Sequence, residues 1–266
     1  MPQPAAIPSP PHRGHVGPPA AGAGTCMGVP RTIWPAIPPP PPCPGTTPAT
    51  PCPHRFTTQA AARIVTAFSS PGDLVVIPAA RTPAFIEAAA AEGRRVLAVC
   101  GGPAQAAHLA RGLAPARQAL ATLRPSDPGL LLHAASPHAA KAALAVTTSC
   151  ATPGCPPPGS DSAGSDPDPG LLYAACQRVL RPGGLLAAVT NAVREPGQPG
   201  EVIAHARAAG LVYTQHIIAV HAAIHTSRLV PAADATLTLH PGAATAHLPI
   251  HSDVLLFAAL GGPRHD

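Results

Sequence analysis

Between Ser69 and Cys100 the chain reads SSPGDLVVIPAARTPAFIEAAAAEGRRVLAVC. That order of signals leaves few folds open. Ser70-Pro71-Gly72-Asp73 is a turn signal. Leu74 to Pro78 is a short apolar run rich in β-branched residues, the length of one buried strand. Pro83 suits the first turn of a helix, and Thr82 can cap it. Phe85, Ile86 and a run of alanines carry the helix to Gly93, which can stop it. Arg94 to Val99 is the next strand. A strand, helix and strand of this length form a right-handed parallel unit, whose ligand lies beyond the first strand's carboxyl end.

The flanking sequence extends the pattern. Residues 60–68 read as a helix entered through His54-Arg55-Phe56. Gly101-Gly102-Pro103 opens a helix to Leu113, with no third glycine at the spacing of a phosphate cradle. Pro115 starts another, running to Leu123. Asp127-Pro128-Gly129 is a turn before Leu130-Leu131-Leu132, taken as a third parallel strand. Residues 171–180 have apolar positions at helical spacing. Arg181-Pro182-Gly183-Gly184 ends that helix and turns the chain into a strand at 185–190. A helix at 201–209, a strand at 211–220 and a strand at 253–257 complete the elements, the last pair meeting antiparallel at the sheet edge.

Composition sets the frame. Hydrophobic residues make up 46% of the 266, but aromatics only 3%, so an alanine-rich core buries little area per side chain. The 39 prolines cluster in runs that neither helix nor central strand accepts. Residues 1–54 are expected to be a disordered tail with polyproline II character, in which Trp34 docks on the domain. Residues 55–258 form the domain, with a flexible loop at 149–169, and 259–266 are a short tail. Lys and Arg number 17 against 12 acids, a net charge of +5 without a basic block, which favours polyanions only slightly. Seven scattered cysteines make no disulfide framework, and Cys150 and Cys155 lack zinc spacing. His216, His221 and His225 lie close in sequence but lack a further ligand, so no metal is expected. The start carries no apolar leader and no run of 18 apolar residues exists, so a cytoplasmic location without a membrane span is expected.

PGDLVVIP…GRRVLAV, together with the later RVLRPGG before a strand, resembles the S-adenosylmethionine (SAM)-dependent DNA methyltransferases of the amino-methylating (N4-cytosine/N6-adenine) type. The resemblance spans roughly 55–258. It implies a Rossmann-like α/β fold: a mostly parallel seven-stranded sheet with helices on both faces. It implies SAM as cofactor and DNA as partner. It assigns to the cofactor site Phe56, Asp73, Pro78, Ala79, Arg81, Pro83 and Cys100, and to the catalytic loop Ser136, Pro137 and His138. In the family that loop reads S/D/N-P-P-Y/F. Its polar side chain and prolyl carbonyl orient the target amine for in-line attack, and its aromatic stacks on the flipped base.

The ligand-contacting residues of the family are replaced here. Ile77 stands where the family has Asp. Arg81 and Pro83 replace two glycines, adding bulk and charge and removing an N–H donor. Cys100 replaces the ribose-binding acid and is at best a weak acceptor. His138 and Ala139 replace the second proline and the aromatic. The expected function is a DNA amino-methyltransferase-like protein, degenerate, with weak or no catalysis. Two alternatives stand beside it: an active DNA or RNA N-methyltransferase using Ser136-Pro137, and a non-catalytic module that binds a partner or nucleic acid.

Overall fold

The turn, helix and strand signals around Leu74 form as expected. In the computed structural model, residues 33–34, 56–126, 130–149, 167–190, 198–220, 222–225, 228–231 and 251–261 are described. They belong to one compact unit, Arg31–Asp266. β2 (Leu74–Ile77) leads to α2 (Ala84–Ala91) and β3 (Arg95–Cys100), and β2 and β3 pair in parallel. The Thr82 hydroxyl accepts from the Ala84 N–H at 3.3 Å, and Pro83 already has helical dihedrals. Gly93 ends the helix at φ +74°, a conformation that a side chain disfavours.

Before this unit come β1 (Ile33–Trp34) and α1 (Thr58–Phe68). After it come α3 (Pro103–Arg111), α4 (Pro115–Gln118), β4 (Ala121–Pro125), α5 (Leu131–Ala135), β5 (Ala142–Thr148), α6 (Pro169–Val179), β6 (Leu180–Thr190), α7 (Gln198–Ala208), β7 (Leu211–Val220), the hairpin β8–β9 (Ala222–His225 and Arg228–Pro231) and β10 (His251–Ala259). The main sheet runs β1-β7-β10-β6-β5-β2-β3-β4. Every pairing in it is parallel except those of β10, which is antiparallel to both β6 and β7. The fold is Rossmann-like α/β, and among the described residues its main sheet has eight strands rather than seven. The late antiparallel strand lies inside the sheet, between β6 and β7, not at its edge.

Strand alternation distributes the core to two faces. Val75 and Ile77 pack with Phe85, Ile64 and Leu109 from α2, α1 and α3. Val76 and Val99 pack with Leu131, Val179 and Val202 from α5, α6 and α7. The sheet is thus covered on both sides, which is why its inner strands carry continuous apolar runs.

Four local readings change. Leu131–Ala135 is a helix, not the third parallel strand. Three leucines do not fix a period, and Leu and Ala favour helix. The third strand is β4, whose Arg124 and Pro125 fit an edge strand. The helix begun at Pro115 stops at Gln118 for the same reason. β5, to which the sequence pattern assigned no element, lies between β2 and β6. Its alanines look helical in isolation, but small side chains suit a strand covered on both faces.

Arg181-Pro182-Gly183-Gly184 does not separate helix from strand. β6 starts at Leu180, and these residues bulge out while Leu180 pairs with Ala142 and Leu185 with Leu144. A Cβ on Gly184 would meet the Ala142 carbonyl at 2.8 Å, so the bulge needs glycine there. Ile33 and Trp34, expected in the tail, form the edge strand beside β7. Trp34 is buried, stacks on Phe68 at 5.9 Å between ring centroids, and lies 5.2 Å from the Arg63 guanidinium. The rest of the expected tail and nearly all of the expected flexible loop, with Cys150 and Cys155, lie outside the described residues.

Candidate functional site

The carboxyl ends of β2 and β3 are where a parallel sheet of this kind receives a ligand. Two loops leave them, 78–82 from β2 and 101–102 from β3. The Ala80 N–H donates to the Val99 carbonyl at 2.7 Å, drawing the first loop onto the second strand. Gln105, in the first turn of α3, spans the two loops. Its Nε2 donates to the Ala80 carbonyl at 3.1 Å, and its Oε1 accepts from the Gly101 N–H at 2.8 Å. The Gly102 N–H is bonded to the Cys100 carbonyl. The donors of the Gly-Gly-Pro turn are therefore used within the chain.

The residues that the resemblance assigns to the cofactor fill this place. Ile77 is 5% exposed and belongs to one apolar cluster with Phe56, Ala80, Ala84 and Phe85. Phe56 is stacked on Phe85, centroids 5.6 Å apart and planes 7° from parallel. Pro78 is buried and Ala79 half-buried. Arg81 is folded in, only 7% exposed. Pro83 packs so closely on Gly112 that a Cβ there would meet it at 2.9 Å. Cys100 is buried and its Sγ donates to the Arg124 carbonyl at 3.5 Å.

Burial pushes the Cys100 thiol from an ordinary 9.0 up to about 11. It pushes that of Cys176 up as well. The folded state thus favours the protonated thiol, so this contribution to stability is present below the unfolded value and lost as pH climbs through the folded one. At pH 8 the thiolate fraction of Cys100 is expected to be about 100-fold below that of a free cysteine. Native protein treated briefly with iodoacetamide should leave Cys100 and Cys176 unlabelled by peptide mapping, while both label after denaturation. Rapid labelling of native Cys100 would contradict its buried place.

Asp73 is elsewhere. It precedes β2 at the opposite, amino-terminal edge of the sheet. Its Oδ2 accepts from the Ser70 N–H at 2.9 Å, and its Oδ1 meets Arg181 Nη1 at 3.0 Å. The two motifs PGD and RPGG are thereby joined to each other. Arg181 is half exposed, so the pair adds only modest stability.

Ser136, Pro137 and His138 also stand apart from the cofactor residues. They form a 3₁₀ turn after α5, not a loop after a strand. The chain then enters the amino-terminal end of β5, where Ala140 and Lys141 donate to Arg178 and Val179 at the end of α6. The turn's polar atoms are used locally. Ser136 Oγ donates to the Leu132 carbonyl at 2.8 Å, and the Pro137 carbonyl accepts from Lys141 Nζ at 2.9 Å. Partial burial, then the charges of Lys141 and Arg124, hold the His138 imidazole below its usual range. On the side of β2 away from β3 lies β5, whose carboxyl end is Thr147-Thr148, followed by Ser149. Thr147 is buried.

A second polar group lies at the carboxyl ends of β6 and β7, where β10 begins. His216 Nε2 is 2.7 Å from Asp253 Oδ1, and His251 Nε2 is 3.8 Å from the same oxygen. Asp253 is 2% exposed, and its Oδ2 has no hydrogen-bond partner among the described residues. Position 216 drew notice in the sequence, but its partners came from a strand more than thirty residues on. The only signal for them was His251 and Asp253 two apart on one strand, hence on one face. Among the described residues no three His, Cys, Asp or Glu side chains are placed to hold a metal. His221 and the side chain of His225 lie outside the described residues. No described helix is long and apolar enough to cross a membrane.

No family model matches the chain, and no curated protein does. Among solved structures it is similar in shape to a TehB-like SAM-dependent methyltransferase from Corynebacterium glutamicum, at 14% identity and TM-score 0.44 over 75% of this chain and 86% of that one. It is similar to a SAM-dependent O-methyltransferase from Thermotoga maritima, at 13% identity and TM-score 0.48 over 77% and 66%. It is similar to the geranyl diphosphate C-methyltransferase from Streptomyces coelicolor, at 15% identity and TM-score 0.46 over 76% and 80%. Similarities this distant carry no argument, and the fold class rests on the strand order and registers given above.

Proposed function

We propose that this chain is a methyltransferase-like α/β domain, of the DNA amino-methylating kind it resembles, whose methyl-donor site has been closed and which transfers no methyl group. One observation carries the reading. At the carboxyl ends of β2 and β3, the Gln105 amide takes up the Ala80 carbonyl and the Gly101 N–H, and Ile77 and Phe56 are buried in one apolar cluster with Ala80. No carboxylate stands at residue 77 or 100 to receive ribose hydroxyls. The local bonds of Ser136 and Pro137 support the same reading, because the hydroxyl proton is bound to the Leu132 carbonyl and the prolyl carbonyl already accepts from Lys141. DNA is the partner that the resemblance implies. A net charge of +5 without a basic block supports only weak, salt-sensitive attachment.

Each replaced contact costs about 1–2 kcal/mol, so several together lower donor affinity by orders of magnitude. Calorimetric titration of the full chain with SAM, and with S-adenosylhomocysteine, is expected to give no binding heat at a few millimolar ligand, on the order of the weakest measurable affinities. A micromolar dissociation constant for either would overturn the reading.

A further inference from the structure

We propose that Gln105 is an internal strap that occupies a slot for a planar donor–acceptor edge, such as the amidine edge of adenine. The inference rests on the reading of a closed donor site. A glutamine amide offers one N–H donor and one oxygen acceptor side by side. Here the donor meets the Ala80 carbonyl at 3.1 Å and the acceptor meets the Gly101 N–H at 2.8 Å. Those two main-chain groups face each other across the carboxyl ends of β2 and β3, the ligand side of such a sheet. An exocyclic amine beside a ring nitrogen presents the same pair of bonds. Gln105 therefore acts as a tethered competitor for any ligand with that edge.

The neighbouring glycine fits this role. A Cβ on Gly101 would lie 2.9 Å from Gln105 Oε1 and displace the end of that flexible side chain. Gly101 has no left-handed backbone that alanine would resist. Two substitutions thus separate the strap from the slot: Gln105→Ala removes the strap and frees both main-chain groups, whereas Gly101→Ala pushes the strap out but sets a methyl where a ligand's acceptor would sit. Gln105 is only half-buried, so neither change empties the core. Two neutral hydrogen bonds of this kind hold a competitor off by roughly 10- to 100-fold in affinity.

The test is a chemical-shift titration with adenosine on the full chain, with amide exchange at Gly101 as a companion readout. In the native chain the Gly101 amide is protected and adenosine leaves residues 79–82 and 101–105 unshifted. In both variants exchange of the residue-101 amide, corrected for its intrinsic rate, is expected to rise by about 10-fold or more, and in Gln105→Ala adenosine is expected to shift those residues with millimolar affinity. If Gly101 exchange stays unchanged in Gln105→Ala, or if adenosine shifts nothing in that variant, the strap is overturned while the closed-site reading stands. If the native chain itself binds SAM, both fall together.

Discussion

Phe85→Ala is expected to destabilise the domain by about 3–5 kcal/mol, a large part of the 5–15 kcal/mol that typically separates folded from unfolded protein. Phe85 is 1% exposed and lies in α2 among Ala84, Ala88 and Ala89. Alanines have no rotamers with which to refill a hole, so the cavity persists. The ring also loses its stacked partner Phe56. Urea unfolding should show a lower midpoint at unchanged slope. Phe85→Leu keeps most of the volume and should cost less than half as much. A loss under about 1 kcal/mol for the alanine variant would mean that Phe56 and Phe85 do not form the buried stack described above.

Arg94→Ala is expected to cost about 2–4 kcal/mol, through buried carbonyls left without donors. The Arg94 side chain is 5% exposed. Its Nη2 donates to the Ser69 carbonyl at 2.7 Å, its Nε to Ser69 Oγ at 3.2 Å, and its Nη1 to the Glu92 carbonyl. Ser69 in turn donates from both N–H and hydroxyl to the Val65 carbonyl, closing α1. One guanidinium thus clamps the end of α1 to the loop between α2 and β3. Lysine cannot reproduce three directed bonds, so Arg94→Lys should recover only part of the loss. Thermal melting should fall by roughly 5–15 °C for Arg94→Ala. Arg95 is the control: it is exposed, with one 3.3 Å bond to the Gly72 carbonyl, and its alanine variant should stay within about 0.5 kcal/mol. Equal losses at the two positions would remove the clamp from the account.

Adjacent arginines with such different roles show how the site became readable only in part. GRR could be placed at the start of a strand from sequence. Which arginine turns inward depends on where α1 ends, and that is a tertiary fact. The same holds for Asp73. It was grouped with the cofactor residues by its motif, yet it lies at the far edge of the sheet, bonded to Arg181 from a motif more than a hundred residues away. The setting of Ser136-Pro137 is tertiary too. The strand expected before it is a helix, and β5, which borders β2, carries other residues at its carboxyl end.

By itself, the amino-acid sequence determined the parts written in local chemistry. Turn residues, a proline in a first helical turn and a glycine past a last one place β2, α2 and β3, because backbone preference acts over a few residues. It also fixed which residues stand at 77, 81, 83 and 100, the positions compared above with the family the sequence resembles. Only the tertiary structure decided the rest: β5 as a central strand, β10 inserted between β6 and β7, the His216–Asp253 pair, and Gln105 across the two loops. Alanine runs and lone polar residues carry no period of their own. Their state is set by what covers them, and that is known only once the sheet has closed over both faces.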